Sequence, residues 1–122
     1  MKWIILIGKE NLFDTLKKMD FYESTSSYIA QDDVNRLCVN YTYEHIFFDE
    51  INENQPGWND FEDDIKFIPY TNPSIIMMIY HCSDIVKKIL CQDNFPQDIY
   101  INNDFGIIVP LKKYIDMGMP ME

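Results

Sequence analysis

The chain opens on five consecutive apolar residues, Trp3-Ile4-Ile5-Leu6-Ile7. A run with no polar position predicts a strand covered on both faces. The period then changes. Leu12, Phe13, Leu16 and Met19 recur at helical spacing, and Glu10, Asp14, Lys17 and Lys18 take the other side. That pattern predicts an amphipathic helix with acid near its start and lysine near its end. Residues 21–29 are rich in Ser, Thr and Tyr and predict an exposed strand, followed by a turn at Asp32-Asp33 and Asn35. From Arg36 to Glu44 the alternation is strict. Leu37, Val39, Tyr41 and Tyr43 fall on one face; Cys38, Asn40, Thr42 and Glu44 fall on the other. This is the signature of a half-buried antiparallel strand, hairpinned to the one before it.

Between residues 45 and 64 the alternation is lost. His45-Ile46-Phe47-Phe48 either finishes the strand or begins a short helix, and Asn52 to Asp60 is turn chemistry that includes Pro56-Gly57. The stretch reads as an insertion between sheet elements. Ile75 to His81 predicts a second apolar strand. Ser83 offers a helix cap, and Ile85, Val86, Ile89 and Leu90 give the second helix its buried face. Ile99-Tyr100-Ile101 and Ile107-Ile108-Val109 flank Asn102-Asn103-Asp104-Phe105-Gly106, which predicts a hairpin. Leu111 to Ile115 has room for one helical turn. The predicted order is β-α-β-β, insertion, β-α-β-β. It implies an α+β fold, a mainly antiparallel sheet with two helices packed on one face, and a ferredoxin-like topology is one arrangement with this order. With no repeat, low-complexity tract or linker, residues 1–122 are expected to form a single domain.

Charge changes this picture in one place. The chain carries a formal −10, and the segment between Leu37 and Ile65 supplies −8 of it. That segment has no lysine or arginine, but holds Glu44, Asp49, Glu50, Glu53, Asp60, Glu62, Asp63 and Asp64. A block of one sign steers a basic partner and repels nucleic acid. Trp58 and Phe61 lie inside it, and aromatic residues ringed by carboxylates suit a protein-binding surface. The candidate contacts are therefore Asp49, Glu50, Glu53, Asp60, Glu62, Asp63 and Asp64, with Trp58 and Phe61 as anchors. A solvated loop is the bland alternative, with both aromatics tucked into the core. Arg36 is the single arginine and the lysines are scattered, so the basic stripe of a nucleic-acid binder is missing. No apolar run approaches a membrane span, and no export signal is evident, so the cytoplasm is the expected location.

Chemistry is sparse. Cys38, Cys82 and Cys91 are odd in number and form no CxxC pair, so buried reduced thiols are expected rather than a disulfide framework or a zinc site. His81 adjoins Cys82, but neighbouring strand residues point to opposite faces, which disfavours a thiol–imidazole pair. The acids from Asp60 to Asp64 lack the alternating spacing of a calcium loop. With four glycines in the whole chain there is no phosphate-cradling loop. No cofactor, no metal and no catalytic constellation is expected, and the chain reads as a binding protein rather than an enzyme.

In general plan the chain resembles the immunity proteins of bacterial contact-dependent growth inhibition and related polymorphic toxin systems. The resemblance lies in the β-α opening from Trp3 to Met19, the strand Ile75 to His81 running into the helix Asp84 to Leu90, and the late hairpin from Ile99 to Ile108. It implies a non-enzymatic inhibitor that binds the C-terminal domain of a cognate toxin and covers its active site or substrate surface. Many such toxins are nucleases, whose clefts are basic because they hold phosphates. The alternative from a different class is a small α+β ligand-binding or regulatory module, which requires a concave apolar pocket.

Overall fold

The opening apolar run becomes β1, Lys2–Gly8, and lies inside the sheet with a strand on each side. A computed structural model of the chain describes residues 2–31, 35–52, 58, 61 and 64–121. After β1 comes α1, Leu12–Lys17, which turns Leu12, Phe13 and Leu16 inward. A meander follows: β2, Ser26–Gln31; β3, Asn35–Asn40; and β4, His45–Ile51. Then come a 3₁₀ turn at Asp64–Phe67, β5 at Ser74–Tyr80 and α2 at Ser83–Leu90. The chain closes with β6, Tyr100–Asn102; β7, Ile108–Pro110; and α3, Leu111–Asp116. The sheet order is β2-β3-β4-β5-β1-β6-β7, and all its pairs are antiparallel. The protein is thus α+β, and the described residues form a seven-stranded antiparallel sheet with three α-helices. Among the described residues no helix is long and apolar enough to cross a membrane.

The element order differs from the expected one at residue 45. Residues 45–51 belong to no insertion; they form β4, hydrogen-bonded to β3 on one side and β5 on the other. Ile46 and Phe48 enter the core, and Asp49, the residue that spoils the apolar pattern, is matched from β3 by Arg36. The expected strand over 21–29 is also shifted. Phe21 is buried and stacks on Phe48 at 5.3 Å, Glu23 has φ 61°, and pairing begins only at Ser26. A positive φ at Glu23 turns the chain into the sheet instead of extending it. Of the three thiols only Cys38 is buried. Cys82 and Cys91 are exposed because they flank α2 as its N-cap and C-cap residues, outside its buried stripe.

The two faces of the sheet are covered unequally. Directly opposed residues share a face, so the register sorts the strands into rows. Ile4, Leu6, Leu37, Val39, Ile46, Phe48, Ile76, Met78 and Ile101 form one core with the inward residues of all three helices. On the opposite face three rows run across the strands. The first, Tyr28-Cys38-Phe47-Ile79-Trp3, crosses five of them. The second contains Ala30, Arg36, Asp49, Met77 and Ile5. The third, Ile51, Ile75 and Ile7, lies under a smaller core completed by Phe61 and Ile68 with Trp58, Ile65 and Tyr70 packed against it. Burying even this second cluster contributes about 25 cal/mol per Å² of apolar area removed from water.

The β3–β4 turn docks onto α2. Tyr41 N–H donates to the Glu44 carbonyl at 2.8 Å, closing the turn. Glu44 Oε1 accepts from the backbone N–H groups of His81 at 2.8 Å and Cys82 at 2.7 Å. A carboxylate at the start of a helix satisfies its free amides and complements its dipole. Burial, and then the charges of Glu44 and Glu23, push the Tyr41 phenol up to about 12. The folded state therefore keeps a proton that the unfolded chain releases near the usual tyrosine value of about 10. Its contribution to stability is complete below about pH 10 and is lost as pH rises toward about 12. Alkaline titration by tyrosinate absorbance and circular dichroism should show unfolding in that window, with Tyr41→Phe shallower. Ionisation of all eight tyrosines in one step without unfolding would contradict it.

Candidate protein-binding cleft

At one end of the sheet β1 and β4 run out and β5 begins. Their register fixes that end, with Gly8 opposite Ser74 and Ile51 opposite Ile75. The chain leaves β4 at Asn52 and returns through Asn72, which takes φ 51°, and Pro73. The β1–α1 connection contributes Glu10. Gly8 permits that connection: a Cβ there would meet side-chain atoms of Leu12 and Ile99 at 3.0 Å. Between these segments opens a cleft of about 620 Å³, lined by Glu10, Glu50, Asn52, Trp58, Ile65 and Asn72 among others.

The cleft joins two of the candidate contacts, Glu50 and Trp58. Trp58 is half-buried: it packs on the second core and still borders the cleft. Glu50 is held by Asn35, whose Nδ2 donates to Oε1 at 3.1 Å. Phe61 is turned inward at 8% exposure and belongs to the second core. Asp49 is internal too. Arg36 donates to its two oxygens at 2.6 and 2.8 Å and lies over the Phe47 ring, 4.5 Å from its centroid. Asp64 opens the 3₁₀ turn. Glu53, Asp60, Glu62 and Asp63 lie outside the described residues. Glu44 and Asp49 are both directed inward.

The remaining candidate chemistry is dispersed. His45 Nδ1 is 2.8 Å from Asn40 Oδ1, and its ring stacks on Phe47. His81 and Cys82 meet Glu44 through their backbone amides. Among the described residues no three His, Cys, Asp or Glu side chains gather as a metal site would need.

No family model matches the chain, and no curated protein or solved structure resembles it significantly. The cleft is therefore read from its own chemistry. Glu10, Asn52 and Asn72 are additions that sequence reasoning missed. Glu10 appears in sequence as an exposed helix-flanking residue, and only the β1–β5–β4 pairing brings it to the cleft that Glu50 also lines.

Proposed function

We propose that this protein is a non-enzymatic inhibitor that captures a basic protein domain, acting in the cytoplasm as an immunity protein against a cognate toxin, most simply a nuclease. The single observation carrying this reading is the cleft lined by Glu10, Glu50 and Trp58 together, in or beside a segment with eight acids and no lysine or arginine. A lysine or arginine side chain fits such a cleft: carboxylates match its charge, and an indole offers a cation–π contact of about 0.5–2 kcal/mol. The polar lining from Glu10, Asn52 and Asn72 suits a protruding cationic side chain better than a small ligand, which takes a mainly apolar pocket. We also read the inner order β6-β1-β5-β4, with α1 and α2 as crossovers, as a ferredoxin-like core extended by the β2–β3 hairpin and by β7, with the helices together on one face.

In this reading the acids bring the partner in and Trp58 slows its release. The test is first genomic, whether a large secreted protein with a toxin-like C-terminus is encoded immediately upstream, and then takes that C-terminal domain as the binding partner. Converting Asp60, Glu62 and Asp63 together to lysine should slow its association at least about tenfold and flatten the salt dependence. Trp58→Ala should instead raise the dissociation rate. Unchanged association in the triple variant would place the contact elsewhere, and failure of the unaltered protein to bind would remove the inhibitor reading.

A further inference from the structure

The two edges of the sheet are built differently. The β7 edge is three residues long, ends in Pro110 and runs straight into α3, where Leu111 N–H donates to the Ile99 carbonyl at 2.9 Å. Proline, shortness and a covering helix are the usual means of blunting an edge. Among the described residues the β2 edge has none of them. Ser26–Gln31 is a regular six-residue strand paired along its length to β3, and among the described residues β3 is its sole strand neighbour. Tyr28 is 56% exposed and Ile29 36% exposed, and these two side chains face opposite ways. No proline or charged residue occurs from Ser24 to Gln31. The backbone groups that β3 leaves unused are available to another strand.

We propose that β2 pairs with β2 of a second copy of this chain, joining two sheets into one of fourteen strands across a two-fold axis. Charge selects this occupant. Two chains of −10 repel over most approaches, but the strand from Ser24 to Gln31 carries no charged residue in either copy, and Arg36 and Asp49, behind it on β3 and β4, neutralise each other. The strand is also self-complementary. A two-fold axis normal to the sheet requires opposed residues of the same parity. Centred on Ile29, it sets Ile29 against Ile29 of the second copy, Tyr28 against Ala30 and Ser27 against Gln31. A large ring then faces a small side chain, and β-branched residues meet each other. The row Tyr28-Cys38-Phe47-Ile79-Trp3 then runs on into the row of Ala30, Arg36 and Asp49 in the second copy.

A five-residue ladder is about 17 Å long, so the contact belongs with small interfaces and the dimer is concentration-dependent. Sedimentation velocity on the full chain from about 10 µM to about 1 mM, the range in which small interfaces populate, should show a monomer–dimer equilibrium. Ile29→Lys, which alters an exposed side chain, should weaken that equilibrium at least tenfold while circular dichroism stays unchanged. Hydrogen exchange on the unaltered protein gives a second readout: amides of residues 26–31 should gain protection with concentration. A monomer throughout the range overturns the proposal and leaves the edge to a strand from a different protein. So does a dimer that persists in Ile29→Lys, or concentration-dependent protection confined to another segment.

Discussion

Phe48→Ala should destabilise the fold by about 3–5 kcal/mol, the range for emptying a fully buried phenylalanine site. Phe48 is completely inaccessible, belongs to the core shared with the helices, and stacks on Phe21. The neighbouring change Phe47→Ala is its internal control. Phe47 is half-buried on the opposite face, where it meets His45 and the Arg36 guanidinium. That loss should stay near or below about 1–2 kcal/mol. The comparison tests the register of β4, because a slip of one residue exchanges the two rings between faces. Equal losses by urea denaturation, or the larger loss at Phe47, would refute the register.

Arg36→Met should cost about 2–3 kcal/mol. Removing one partner of a buried ion pair leaves the other uncompensated, and the full effect of about 3–5 kcal/mol is reduced here because the Arg36 side chain is 36% exposed. Asp49 is the side that suffers, at 10% side-chain exposure and with both oxygens engaged. The double change Arg36→Met with Asp49→Leu should recover most of the loss, since an apolar pair removes the stranded charge. A single variant within about 0.5 kcal/mol of the unaltered protein, the range of ordinary surface substitutions, would mean that Asp49 finds other solvation.

These two sites also mark where the sequence was readable and where it was not. β1, β5 and α2 are legible because long apolar runs and a 3.6-residue period leave one reading. β4 is not legible, because Asp49 and Glu50 interrupt its pattern and the cation that makes Asp49 tolerable lies thirteen residues earlier on β3. Local patterns register a carboxylate in a strand but not the guanidinium across the ladder. The cleft was half visible. Glu50 and Trp58 stood out through the charge block, whereas Glu10 joins them through pairing between strands distant in sequence. The thiols show the same gap: Cys82 and Cys91 look like extensions of apolar elements, but they fall at the two ends of a helix whose stripe excludes them.

The position of β1 has a kinetic consequence. β1 lies between β5 and β6, whose residues follow it by about seventy to a hundred positions. The meander from β2 to β4 closes locally, while β1 waits for partners distant in sequence. Pairing between distant residues slows folding, and until Ile101 emerges the apolar run of β1 lacks one of its two neighbours.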